Sequence, residues 1–168
     1  NILSKFSGFD IILGNPPYVC SRHLSEETKK ILTKWKVCNS GHPDLYIPFF
    51  QIGIESLAID GILGFITMNS FFKSLNGRSL REYFQTTSLE FRIVDFGTEQ
   101  IFKSRYNYTC ILLIENRKES CIKYYKSTGV NQLPKNHNLF SLINYSKLDF
   151  KKGWNLQNHE IISKIEST

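Results

Sequence analysis

The sequence predicts an α/β fold in which short apolar strands alternate with helices around one sheet. Apolar runs lie at 9–13, 62–68 and 91–96, and each is followed directly by glycine or asparagine. Segments with helical spacing of apolar residues lie between these runs. Alternation of this kind is typical of doubly wound sheets. A chain of 168 residues is long enough to bury one hydrophobic core.

The first half of the chain predicts two strands and two helices. Phe9–Leu13 is apolar and ends at a glycine, which indicates a buried parallel strand. Ser25 followed by two glutamates is typical of a helix N-cap, so a helix is predicted over 25–35. Helical spacing of apolar residues predicts a second helix over 44–59, and ILGFITM predicts a second strand over 62–68.

The second half predicts one helix over 79–85 and strands over 91–96, 107–115 and 122–126. About ten residues without a clear helical pattern join the strands 91–96 and 107–115. A connection this short favours an antiparallel pair that closes the sheet. Because an open α/β sheet places its chemistry at the carboxyl ends of its strands, we expect functional residues in the loops that follow the strands.

Composition and charge narrow the functional classes. Hydrophobic residues make up 41% and charged residues 21%, as in ordinary globular domains, and no apolar run is long enough to span a bilayer. The four cysteines and four histidines form no CxxC or HxxxH pair, so we expect no metal site, and free thiols in a reducing cytoplasm. The net charge of +6 points weakly to a polyanionic partner, although a mildly basic protein without such a partner has the same charge.

The strongest chemical signal is Asn15-Pro16-Pro17-Tyr18, which directly follows the first predicted strand. Two adjacent prolines make a stiff loop without amide donors, so the loop presents backbone carbonyls. Together with the amide oxygen of Asn15, these carbonyls offer two acceptors for the two hydrogens of an exocyclic amine. Tyr18 adds a flat ring on which a planar base can stack. A plain strand-to-helix turn is the alternative, but the position after FDIILG at a strand end favours chemistry.

The segment FDIILGNPPYV resembles the amino-methyltransferase motif of adenine-N6 DNA methyltransferases. Over about 9–116, further blocks resemble the methyltransferase part of Eco57I-like restriction-modification enzymes: DLYIPFF, GILGFITMNSFFKS, LREYF, IVDFG and IFKSRYNYTCILLIEN. The resemblance implies that the chain holds the C-terminal half of a Rossmann-like S-adenosylmethionine-dependent methyltransferase sheet. It further implies that residues 1–117 are catalytic and that residues 118–168 lead into a target-recognition region.

The implied reaction is methyl transfer from S-adenosylmethionine to N6 of an adenine that is flipped out of double-stranded DNA. Asn15 and the carbonyl of Pro16 would accept the amine hydrogens, and Asn15 would also lie beside the cofactor. Tyr18 and Phe102 would stack on opposite sides of the base. Phe49 would line the adenine of the cofactor. For Phe49 and Phe102 a place in the core is the alternative.

Positive charges near the active edge are candidate DNA contacts. Lys73 and Arg78 flank an Asn-Gly pair in KSLNGRSLR, and Arg105 matches a basic position of a family block. Such contacts would weaken with salt. The alternative for each is a solvated surface cation. Asp44, at the start of DLYIPFF, is also consistent with a simple N-cap of the second helix.

The sequence departs from the family pattern at its start. The resembling enzymes have an upstream strand that ends in a glycine-rich turn for the methionine part of the cofactor, followed by an acidic residue for the ribose. Only eight residues precede Phe9 here. We therefore expect a piece of a longer protein that lacks half of the cofactor site and is inactive alone. Strand 9–13 would then be an exposed edge, through which the chain self-associates.

Two other functions remain open from the sequence. Methyltransferases that act on protein glutamine or on N2 of RNA guanine also use NPPY-like loops. A non-enzymatic alternative is a folded module that contacts DNA but is catalytically incomplete.

Overall fold

The computed structural model describes residues 7–99 and 108–157, and these form an α/β fold, as predicted. The strands form one mixed sheet: β1 (Phe9–Gly14), β2 (Leu57–Met68), β3 (Leu89–Asp95), β4 (Thr109–Lys118), β5 (Cys121–Lys126) and β6 (Ser141–Asn144). The α-helices are α1 (Glu26–Leu32), α2 (Ile47–Glu55) and α3 (Arg78–Thr87). None of the helices in this part of the chain is long and apolar enough to cross a membrane.

The strand order is β1-β2-β4-β3-β5-β6. β1 runs parallel to β2, and β3 runs parallel to β5. β4 lies between β2 and β3 and is antiparallel to both, which confirms the predicted antiparallel pair. Within the described residues β1 has a neighbour on one side only, so it is an edge strand. Phe9, Ile11 and Leu13 on this strand are 50%, 65% and 77% exposed.

The hydrophobic core lies on the face of the sheet that α2 and α3 cover. The ring of Phe50 in α2 packs 5.4 Å from that of Phe65 in β2, measured between centroids. In the same way Phe84 in α3 packs 4.7 Å from Phe91 in β3. Full burial of one such ring stabilises the fold by about 1.5–3 kcal/mol. The core therefore fixes α2 against β2 and α3 against β3.

The boundary between α2 and β2 differs from the prediction. The helix ends at Glu55, and Leu57 already belongs to β2, whereas the predicted helix continued to residue 59. Asp60 has a φ of +59° and lies inside β2, so the Asp-Gly pair marks an irregularity within the strand instead of its start. The side chain of Asn116 donates to the Ala58 carbonyl at 2.9 Å, and this long-range contact helps to hold the early part of the strand.

Residues beyond 117 add to the same sheet. β5 agrees with the predicted strand over 122–126, whereas β6 was not predicted. Trp154 is 1% exposed and packs on the aromatic core. The buried guanidinium of Arg81 donates to the Phe150 carbonyl from Nε at 3.0 Å and from Nη2 at 2.7 Å, which ties this later segment to α3.

Candidate active site

β1 delivers the Asn15–Tyr18 loop to the edge of the sheet where β1 and β2 end. Gly14 is required at the start of the loop, because a Cβ atom there would lie 2.8 Å from Cε1 of Phe65. In the loop itself Asn15 is exposed, Pro16 is buried and Tyr18 is half-buried. The loop therefore presents the Asn15 amide to solvent from a fixed position against the sheet.

Hydrogen bonds from the following segment hold this loop in shape. The amide of Val19 donates to the carbonyl of Pro17 at 3.0 Å, and the amide of Leu45 donates to the carbonyl of Val19 at 3.0 Å. The carboxylate of Asp44 accepts from the amide of Ser21 at 2.9 Å. The DLY block and the NPPY loop thus form one hydrogen-bonded unit.

The role of Asp44 differs from the simple alternative of a helix cap. The N-cap position of α2 is Tyr46, and no side chain caps this helix. The Asp44 carboxylate instead holds the segment after the Asn15–Tyr18 loop, by its bond to Ser21. The family block DLYIPFF was the only sequence signal for this contact, because spacing alone cannot show which backbone amide a carboxylate reaches.

A groove of about 630 Å³ between β1 and α2 brings Asn15, Pro16 and Phe49 together. Phe49 is 36% exposed, whereas its neighbour Phe50 is fully buried, so Phe49 lies outside the core. Ile52, on the same side of α2, also lines the groove. The residues that line it are apolar or uncharged: Phe9, Ile11, Ile12, Leu13, Gly14, Asn15, Pro16, Pro17, Phe49, Ile52, Gly53, Ser56 and Phe65.

Tyr18 presents a neutral ring beside the loop. Its burial, together with the nearby Cys110, raises the pKa of the phenol to about 12. The hydroxyl is buried and has no hydrogen-bond partner among the described residues. Burial and the neighbouring Asp95 raise the pKa of the Cys110 thiol well above its ordinary value. Neither group can therefore act as a base or a nucleophile at neutral pH.

A buried carboxylate organises the neighbouring part of the same edge. Asp95 at the end of β3 is 4% exposed and accepts from Nδ2 of Asn69 at 2.7 Å. It also accepts from the amide of Gly97 at 2.9 Å and from the hydroxyl of Tyr124 at 2.8 Å. These bonds join the loop after β2 to the turn after β3. Sequence reasoning missed this network, although Asp95 lies in the IVDFG block.

The candidate DNA contacts occupy different environments. Lys73 is exposed. Arg78 is half-buried, and its Nε is buried without a hydrogen-bond partner in the described part of the chain. The pKa of Arg81 is lowered, first by burial and second by the positive charge of Arg78. Phe102 and Arg105 lie outside the described residues. Across residues 7–99 and 108–157, no group of three or more His, Cys, Asp or Glu side chains could hold a metal ion.

Comparison with known families identifies the chain's relatives. The model of the Eco57I restriction-modification methylase family matches residues 2–102. The chain belongs to this family. The type II restriction enzyme and methyltransferase RM.Eco57I of Escherichia coli is 31% identical over 121 residues, which are 70% of this chain and 12% of that protein. The resemblance inferred from the sequence blocks is thereby confirmed, and the Eco57I-family chain spans only a small part of this relative.

Solved structures share the fold of the Eco57I-family chain. The type IIG restriction endonuclease BpuSI matches with a TM-score of 0.65 and 14% identity, over 90% of this chain and 21% of that one. A protein of Listeria monocytogenes assigned to the class I S-adenosylmethionine-dependent methyltransferases matches with a TM-score of 0.57 and 14% identity, over 75% of this chain and 39% of that one. The predicted methyltransferase fold class is therefore confirmed.

Proposed function

We propose that the chain is the catalytic-loop part of a site-specific DNA methyltransferase of a restriction-modification system. The reaction would move a methyl group from S-adenosylmethionine to N6 of adenine. The observation that carries this proposal is the groove in which Asn15 and Pro16 of the NPPY loop meet Phe49 of α2. Two hydrogen-bond acceptors for an amine and an exposed aromatic ring thus border one space, at the edge of a methyltransferase fold where the strands end.

The residues of the loop have complementary roles in this proposal. Oδ1 of Asn15 and the carbonyl of Pro16 accept the two hydrogens of the adenine amine, so the nitrogen lone pair is aimed away from the loop. Tyr18 stacks on the flipped base as a neutral ring, because its pKa is raised to about 12. S-adenosylmethionine supplies the electrophilic methyl group when it is bound. Phe102 is proposed for the other side of the base.

The groove fits part of the cofactor. Phe49, Ile52 and the apolar residues of β1 suit the adenine ring of S-adenosylmethionine. Among the described residues no charged side chain lines the groove, so the groove offers no ion-pair partner for the ammonium and carboxylate groups of the methionine part. We propose that another part of a longer protein holds those groups and that this chain alone is inactive.

Double-stranded DNA is the proposed partner. Lys73, Arg78 and Arg105 would contact its phosphates, and the net charge of +6 favours such contacts. Arg78 is half-buried, and its Nε has no hydrogen-bond partner among the described residues. A phosphate of the bound DNA would supply that partner. The proposed compartment is the cytoplasm. Residues 118–168 would lead into target recognition, and β5 and β6 would fix that region to the catalytic sheet.

Substitution of Asn15 in the longer protein that carries this chain tests the proposal. We expect Asn15→Ala to lower methylation of DNA by about 10²–10³-fold, by analogy with removal of one preorganised group from an active site. Asn131→Ala, at an exposed position, is the matched control. Labelled methyl groups are followed into digested DNA, and the modified nucleoside is identified by mass spectrometry.

The product identifies the substrate class. N6-methyladenine supports the proposal. Modification of protein glutamine or of RNA guanine by the same preparation would overturn it in favour of one of the alternative NPPY enzymes. Full activity of a folded Asn15→Ala variant would remove the proposed role of this side chain. Binding of DNA without methylation of any substrate would leave the non-enzymatic module.

A further inference from the structure

A second cavity lies on the connection between β1 and α2. Its volume is about 390 Å³, and it is lined by Ser21, Arg22, Lys29, Leu32, Thr33, Cys38, Gly41, His42 and Pro43. Arg22, Lys29 and His42, whose side chains carry N–H donors, are among the lining residues, and no Asp or Glu of the described part of the chain is. A cavity with several cationic donors and no acid among its lining residues suits an anion.

Hydrogen bonds to neighbouring segments fix the walls of the cavity. Ser21 is held by the Asp44 carboxylate at 2.9 Å. The amide of His42 donates to Oδ1 of Asn76 at 3.0 Å, and Gly41 packs so closely that a Cβ atom would lie 2.4 Å from the same oxygen. Neighbouring segments therefore hold the backbone of the cavity wall at Ser21, Gly41 and His42.

Among the described residues, the cations of the cavity have no buried ion-pair partner. No ion pair involves Arg22 within residues 7–99 and 108–157. Lys29 pairs with Glu26 at 2.7 Å, but both side chains are well exposed. A pair of this kind contributes only about 0–1 kcal/mol, so an incoming anion can replace it.

The cavity lies beside the proposed catalytic loop. Arg22 follows Tyr18 on the same connection, and the bond between Leu45 and Val19 draws the two ends of that connection together. Asn76, which holds His42, belongs to the segment between the candidate DNA contacts Lys73 and Arg78. The segment that holds the cavity is thus hydrogen-bonded to the segment that carries Lys73 and Arg78.

We propose that this cavity holds a backbone phosphate of the DNA strand that carries the flipped adenine. The inference rests on the proposed function and adds Arg22, Lys29 and His42 to the residues that position the substrate. Guanidinium and ammonium groups would bind the phosphate oxygens, and the imidazole would donate one further hydrogen bond. A base can be held outside the duplex only if the backbone beside it is also held, and phosphate contacts serve that purpose.

The salt dependence of DNA binding tests the phosphate site. Binding of the 168-residue chain to a fluorescent 30-base-pair duplex is measured by anisotropy over a range of salt concentrations. In the double variant Arg22→Gln, Lys29→Gln we expect the negative slope of log affinity against log salt to become shallower by about one. Affinity at low salt should fall by about ten- to hundredfold.

The matched control removes the same charge from the same helix region. Lys30→Gln, Lys34→Gln changes two exposed lysines that do not line the cavity, and it should keep the slope of the unmodified chain. Equal slopes in both double variants would overturn the site, as would absence of DNA binding by the unmodified chain. If the first double variant unfolds, Arg22→Lys replaces it, and loss of bidentate geometry should weaken binding with the charge retained.

Two further measurements separate the sources of failure. Titration with inorganic phosphate, followed by NMR signals of the cavity residues, detects a small-anion site. Phosphate binding combined with an unchanged DNA slope would overturn the DNA assignment. Normal adenine methylation with an unchanged slope in the Arg22, Lys29 variant would refute this inference alone. A shallower slope in the Arg22, Lys29 variant, together with no adenine methylation by the longer protein, would refute the proposed function. The cavity would then still be a DNA-binding site.

Discussion

The ring and the hydroxyl of Tyr18 have different surroundings and different proposed roles. Its ring is proposed to stack on a base, whereas its hydroxyl is buried without a described partner. A buried hydroxyl without a partner costs free energy, so the phenol oxygen contributes nothing to stability that a hydrogen atom would not. The ring and the hydroxyl can therefore be separated by substitution.

We expect Tyr18→Phe to keep base handling and to preserve or raise the melting temperature. Tyr18→Ala should weaken capture of the flipped base by about 1–3 kcal/mol, the usual contribution of stacking on an aromatic ring. A fluorescent base analogue at the target position in the longer protein reports flipping, and Phe102→Ala should have an effect of similar size. The role in stacking is refuted if Tyr18→Ala flips the base as well as Tyr18→Phe does.

At the scale of elements, local pattern predicted the strands that lie next to the chemistry. The apolar run 9–13 and the antiparallel pair after residue 90 could be predicted, because burial and connection length determine them. The start of β2 could not, since it depends on Asn116, which is distant in sequence. β6 was missed because its four residues are too few to show an alternating pattern, and because its pairing with β5 depends on tertiary contacts. The Asp95 network was missed because it also depends on tertiary contacts, here with Asn69 and Tyr124.

A charge cluster on β3, β4 and β5 predicts how stability depends on pH. Glu90 is 1% exposed and accepts from Arg92 at 2.6 Å, from Lys123 at 2.7 Å and from Arg117. Burial alone would raise the pKa of this carboxyl, but the three hydrogen bonds outweigh burial and lower the pKa to about 2. Because the folded pKa lies below the unfolded value of about 4.3, the stabilisation is present above that value and is lost as pH falls towards 2.

We expect Glu90→Gln to destabilise the fold at pH 7 and to flatten the loss of stability between pH 4.5 and pH 2.5. Urea unfolding of the chain at several pH values measures both effects. Glu82→Gln, on the exposed side of α3, is the control. An acid dependence in Glu90→Gln as steep as in the unmodified chain would mean that other carboxylates determine it.

At the scale of the whole molecule, β1 is an edge strand of the sheet formed by residues 7–99 and 108–157, and it carries exposed apolar side chains. Ile11 and Leu13 project to the same face and are 65% and 77% exposed. We propose that the chain self-associates through this edge, because such strands pair readily with another chain. Light scattering after size exclusion should show a mass that rises with concentration. Ile11→Lys, Leu13→Lys should reduce it, whereas Leu142→Lys on the far edge should not; a clean monomer at all concentrations would exclude the interface.

The groove beside Asn15 and Phe49 predicts how this chain binds the cofactor. Because none of the described residues that line the groove is charged, we expect the adenosine part of S-adenosylmethionine to supply most of the binding there. Stacking of about 1–3 kcal/mol corresponds to a dissociation constant no tighter than about 1 mM. We therefore expect S-adenosylmethionine and 5′-methylthioadenosine, which lacks the amino-acid part, to bind the chain equally weakly, and Phe49→Ala to abolish both signals in NMR titrations. In the longer protein S-adenosylmethionine should bind far more tightly than the truncated ligand. Micromolar binding of S-adenosylmethionine to the chain alone, measured by calorimetry, would contradict this division, since it would mean that residues of this chain also hold the amino-acid part.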